Sequence, residues 1–152
     1  MNNLIAILED FWMWTGLPQE KWNNVDFRNY GIEPVDYPLI GELCRVCTML
    51  INKDLSDSEM QHFLTALAID AEDEDVLNAC KTQGNNIFLY HMALCGISHI
   101  QSEARWQIAD LLQLPIQNRN HFLQVLLSDT NAYVRKRANN TALDLTKGSS
   151  TD

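Results

Sequence analysis

Apolar residues in this chain return every third or fourth position in segment after segment, and they never alternate with period two over a useful length. That spacing gathers them on one side of a helix, where a half-buried strand would need alternation. The expected fold class is therefore all-α, with no strand. Leu4, Ile5, Leu8, Phe11 and Trp12 mark a first helix from Asn3 to Trp14, stopped by Gly16 and Pro18. Leu39, Ile40, Leu43, Val46, Cys47 and Leu50 mark a second from Tyr37 to Ile51. Ser56 followed by Glu59 forms a capping box opening a third helix, which carries Met60, Phe63, Leu64 and Leu67 and ends at Asp70. Further helices are expected over 73–81, 86–97, 102–114, 118–127 and 131–145. Residues 15–35 combine Gly16, Pro18, Gly31 and Pro34 with Trp22, Phe27 and Tyr30, which predicts a long ordered loop pinned to the body by its rings.

With 152 residues the chain can build one core but not two comfortable ones. Residues 1–147 are expected to form a single helical domain: 1–55 hold the N-terminal helices and aromatic loop, 56–147 a set of helix pairs. Residues 148–152 have the composition of a disordered tail. The opening turns acidic within ten residues and lacks a basic leader, and no apolar run approaches the ~20 residues of a membrane span. A cytoplasmic protein without membrane contact is expected. Cys44, Cys47, Cys80 and Cys95 are too sparse for a disulfide scaffold and fall within apolar helical patterns, as buried thiols do.

The net charge is −9, and it is unevenly spread. Residues 1–104 hold 16 acids and 5 bases, while residues 105–152 hold 4 acids and 6 bases. An acidic surface repels phosphate backbones and hastens capture of a basic protein, so the expected partner is a basic protein and not nucleic acid.

Asp129, Val134, Arg135 and Ala138 occur in order around a helix boundary, with Ala142 and Leu143 following. This pattern resembles the second half of a HEAT repeat, a unit of two antiparallel helices that stacks into an α-solenoid. The resemblance covers about residues 57–145, in three pairs beginning near Asp57, Asn86 and Asn118. In the middle pair His99 stands at the Asp position and Ala104 replaces Val; in the first pair Leu77 stands where Arg would be. The resemblance implies a short solenoid, with Asp129 bracing its turn and Arg135 reaching across to a neighbouring repeat. The competing architecture is an irregular helical bundle.

Chemistry-bearing residues are few. Cys44 and Cys47 have metal-ligand spacing but lie mid-helix without a second such pair. His91, Cys95 and His99 share one helical face, though Gly96 and Ser98 interrupt it before His99, and packing is the expected role. Asp70, Glu72, Asp73, Glu74 and Asp75 crowd six positions. As a calcium loop they lack the turn Gly, and the twelfth position is Lys81. Lys136 and Arg137 are expected to be free surface cations beside a structural Arg135. No catalytic set, cofactor motif or metal site is expected, and the chain is predicted not to be an enzyme.

Small size, acidity and HEAT-like helices together are similar in type to small acidic bacterial immunity proteins, which neutralise toxins in bacterial competition. A nuclease toxin presents a cationic groove to phosphates, and carboxylates can occupy it. The expected contact residues are Asp70, Glu72, Asp73, Glu74 and Asp75, with Trp22 and Tyr30 as aromatic anchors. The alternative is a HEAT-like adaptor or assembly factor that scaffolds a larger complex. A degenerate nucleic-acid repair enzyme is a third reading, opposed by the charge.

Overall fold

The computed structural model of the chain describes residues 1–149. Among these residues there are eight α-helices and no strand. They are α1 (Asn2–Thr15), α2 (Ile40–Leu50), α3 (Asp57–Ile69), α4 (Asp75–Gln83), α5 (Asn86–Gly96), α6 (Ser102–Leu111), α7 (Arg119–Leu127) and α8 (Ala132–Ser149). The all-α expectation holds. Helix α8 continues through Ser149, so the tail expected from residue 148 begins inside it, and residues 150–152 lie outside the described residues. No helix among the described residues is long and apolar enough to cross a membrane.

Helix ends follow the local chemistry. Gly16 closes α1 with φ 72°, a left-handed conformation that costs glycine nothing. Ser56 Oγ accepts from Glu59 N at 3.1 Å and Glu59 Oε2 accepts from Ser56 N at 2.7 Å, completing the capping box of α3. Asn85 caps α5 through Phe88 N.

Helix α3 sits at the centre. Every residue from Phe63 to Ile69 is buried, so the helix is covered on all sides by α1, α2, α5 and α6. Helix α4 packs chiefly on α2 and more lightly on α6, and does not close a hairpin with α3. A helical bundle fits this centre. The last two hairpins, α5/α6 and α7/α8, are joined by the broad contact of α6 with α8.

The segment between α1 and α2 forms three short 3-10 turns, and aromatic rings in and beside them pack onto the core. Phe27 and Tyr37 are buried edge-on against Phe11, and Trp22 stacks on Trp12. Each aromatic pair contributes roughly 0.5–1.5 kcal/mol beyond the burial of its area. Tyr37 Oη donates to Asp10 at 2.6 Å, and burial beside that carboxylate pushes the phenol pKa up.

One polar side chain follows each of α3, α5 and α7 in the turn to the next helix. Asp70 Oδ2 accepts from Val76 N at 2.8 Å, His99 Nδ1 from Gln101 N at 3.1 Å, and Asp129 Oδ1 from Asn131 N at 2.8 Å. His99 Nε2 then faces Thr65 Oγ1 on α3, and Asp129 takes Arg105 of α6 in a two-pronged ion pair. Asp129 thus braces its turn as expected. Arg105 reaches this turn from the neighbouring hairpin, whereas Arg135 donates to the carbonyl of Asp129 in its own turn. Arg105 makes the same bond to the carbonyl of His99, six residues back in each case.

Gly96 leaves no room for a side chain where α5 meets Ile108 of α6. A Cβ there would lie 2.7 Å from Ile108 Cδ1 and 3.3 Å from Leu64 Cδ2, inside the core. Overpacking of this kind costs about 1–3 kcal/mol, and alanine's better helix propensity returns up to about 1 kcal/mol. Gly96→Ala should therefore lower stability by about 1–2 kcal/mol, measured as a fall in the urea midpoint with the denaturant slope unchanged.

Candidate functional site

A groove of about 530 Å³ opens between the 3-10 turns of the N-terminal segment, the α3–α4 turn and the first turns of α6 and α8. Four parts of the chain supply its wall. Asp26, Arg28 and Glu33 come from the N-terminal turns, and Glu72 and Glu74 from the α3–α4 turn. Glu103 and Trp106 come from α6, and Tyr133 and Arg137 from α8. Five carboxylates therefore face two guanidiniums.

One of those guanidiniums is already committed. Arg137 Nε donates to Asp110 Oδ1 at 2.9 Å, its Nη2 pairs with Asp110 Oδ2 and with Glu74 Oε1 at 3.1 Å, and its Nη1 donates to Tyr133 Oη at 2.9 Å. The guanidinium also lies 4.5 Å above the Trp106 ring, which meets Tyr133 edge to face. Sequence reasoning takes Arg137 for a free surface cation; the fold instead turns it inward from α8 onto α6. The groove floor is thus an ordered lattice of two rings and one internally neutralised Arg, with carboxylates left over around it.

The acidic run divides by position. Asp70 is only 3% exposed, and its carboxylate closes the start of α4. Burial, with Asp73 and Asp75 nearby, pushes its pKa up to about 6. It therefore offers no surface to a partner. Glu72 and Glu74 line the groove, while Asp73 and Asp75 are exposed outside its lining. Glu74 takes the left-handed conformation, φ 57°, as the chain swings into α4, and Arg137 holds its carboxylate there.

The two aromatic candidates sit elsewhere. Trp22 is half-buried, with its ring on Trp12 and its Nε1 donating to Leu17 O at 3.0 Å, so it belongs to the N-terminal core. Tyr30 is 48% exposed, outside the groove lining. The groove's own rings, Trp106 and Tyr133, and its carboxylates Asp26, Glu33 and Glu103 are isolated in the sequence, and only the tertiary fold brings them to Glu72.

The thiols follow their burial. Cys47 is fully buried, and burial beside Asp70 pushes the Cys44 thiol up to about 12. The pair is therefore protonated at neutral pH, which disfavours thiolate chemistry. The helix that carries His91 and Cys95 ends at Gly96, as the interruption at Gly96 and Ser98 predicts, and His99 does not join them. His99 turns to Thr65 and Gln101, and Asp57 of α3 takes its place beside His91 and Cys95.

No protein-family model, curated protein or solved structure matches the chain.

Proposed function

We propose that this chain is a non-enzymatic binding protein whose acidic groove captures a basic protein, and that it acts as an immunity protein neutralising a basic toxin domain such as a nuclease. The observation that carries this reading is the convergence of Asp26, Glu33, Glu72, Glu74 and Glu103 on one groove floored by Trp106 and Tyr133. The charges would speed encounter and orient the partner, and rings flanked by carboxylates suit an inserted Lys or Arg. Arg137 over Trp106 is an internal example of that contact. In this reading the α5/α6 and α7/α8 hairpins are a two-unit HEAT-like stack that sets α6 and α8 side by side, and the protein works in the cytoplasm without membrane or nucleic-acid contact.

A tagged pull-down washed at low and then high salt tests the reading, with a single basic polypeptide retained in equal amount as the supporting result. With that partner in hand, the Glu72→Lys, Glu103→Lys double variant should slow association at least about tenfold at low salt and flatten its salt dependence. The Glu103 side chain accepts one long bond, from Ser102 Oγ at 3.4 Å, and the exchange leaves the ion pairs of the fold in place. An unchanged association rate would remove the groove from the interface.

Exposed Ile87 and Leu94, two turns apart on α5, favour a second reading as an adaptor that docks onto a larger assembly. Several salt-labile partners in the same pull-down would support it.

A further inference from the structure

Where α3 meets α5, at the opposite end of α3 from the acidic run, three unlike donor atoms converge. Asp57 is the first residue of α3 and is fixed there by the Ser56–Glu59 capping box. His91 and Cys95 stand one turn apart on α5, so both side chains point the same way. His91 Nε2 lies 2.7 Å from Asp57 Oδ1, and Cys95 Sγ lies 3.8 Å from the same oxygen. All three donor atoms lie within 4.8 Å of one another.

We propose that Asp57, His91 and Cys95 form a binding site for one divalent cation of the zinc class, held by three protein ligands with a fourth position open to water. Nitrogen, sulfur and carboxylate oxygen together select a borderline-soft metal, whereas calcium or magnesium would want oxygens alone. Tetrahedral bonds of about 2.0–2.3 Å set an S–O separation of about 3.6 Å and an N–O separation of about 3.3 Å. The first is nearly present. The second requires that the His91–Asp57 contact open by about 0.6 Å, with the Nε2 proton of the neutral imidazole passing through solvent to Nδ1 so that Nε2 can take the metal. The Cys95 thiol releases its proton to solvent on coordination, so charge and atoms balance without any further reactant.

Access and rigidity both suit the role. Asp57 is 89% exposed at its side chain and His91 24%, which gives an ion a direct path from solvent. The ligands are mounted on two helices that already pack together, so a bound ion would tie the start of α3 to the middle of α5 without rearranging the backbone.

Cobalt(II) is the probe. Titrated into the chelator-treated chain, it should bind at one ion per molecule and give a thiolate-to-cobalt charge-transfer band, displaced by zinc. Cys95→Ser should lose the band, and Cys44→Ser should keep it. His91→Gln and Asp57→Asn should each weaken binding at least about tenfold. Zinc should raise the melting temperature of the parent chain and leave that of Cys95→Ser unmoved. No band at millimolar cobalt, or a band that survives in a folded Cys95→Ser variant, would overturn the proposal.

Discussion

Replacing Arg137 by alanine should cost about 3 kcal/mol of stability. Asp110 is 9% exposed and Arg137 meets both of its carboxylate oxygens, so truncation strands a buried charge. Breaking a buried pair by deleting one partner typically costs about 3–5 kcal/mol. The lower end applies here because the Arg137 side chain keeps 21% exposure and water can reach the gap. The stacking on Trp106 is lost as well. Urea unfolding measures the loss. The compensating double variant, Arg137→Met with Asp110→Leu, should recover most of it, because an apolar pair of similar volume removes the stranded charge. If Arg137→Ala unfolds at the parent midpoint, the ion pairs contribute nothing and the groove floor is not ordered by them. The same variant frees Glu74, so it should also loosen the left-handed turn that presents the acidic wall.

Arg137 also illustrates what the sequence conceals. In the run Arg135-Lys136-Arg137 nothing separates a structural cation from a solvated one. The difference is that Asp110, 27 residues earlier, comes to lie beneath α8 when α6 and α8 pack. The groove is illegible for the same reason: Asp26, Glu33, Glu72 and Glu103 sit in three segments whose approach depends on the whole fold. Charge density alone draws attention to residues 70–75, and burial then withdraws Asp70 from that surface.

What local chemistry controls was legible. The capping box at Ser56, the stop at Gly16 and the apolar faces place the helices within a few residues, because each signal acts over one turn. The central position of α3 had a signal too. Phe63-Leu-Thr-Ala-Leu-Ala-Ile69 is apolar at every position but Thr65, which a helix with one solvated face would not be. Pair-wise stacking assigns α3 a partner in α4, whereas the largely apolar helix draws neighbours on every side. The turn residues carried a half-legible signal. His99 at the position of Asp129 looks like a departure from the repeat, but its Nδ1 accepts a backbone N–H as the Asp129 carboxylate does.

That substitution makes acid stability depend on two opposed groups. Burial, with the Arg105 guanidinium nearby, lowers the His99 pKa to about 4 from its ordinary 6.5. Between those values the unfolded chain takes up a proton that the folded chain refuses, so this contribution to stability falls as pH drops from about 6.5 to about 4. Asp70 runs the other way. Its pKa rises to about 6 from 3.8, so the folded chain keeps a proton that the unfolded chain releases, and its contribution falls as pH rises through that window. Each effect amounts to about 3 kcal/mol over its full span. The parent should accordingly show a nearly flat urea midpoint from pH 4 to pH 6, and two variants should uncover the hidden slopes. Asp70→Asn, whose side-chain oxygen can still accept from Val76 N, should leave the His99 effect alone, with stability climbing by about 2–3 kcal/mol from pH 4 to pH 6.5. His99→Gln should show the reverse, a chain that loses stability as pH rises from 4 to 6. Thr65, Gln101 and Arg105 face His99, and Cys44, Asp73 and Asp75 face Asp70, so the two groups share no partner and their effects should add. Equal slopes in parent and Asp70→Asn would mean that Asp70 is ionised in the folded chain, and that the start of α4 is held by a full carboxylate charge.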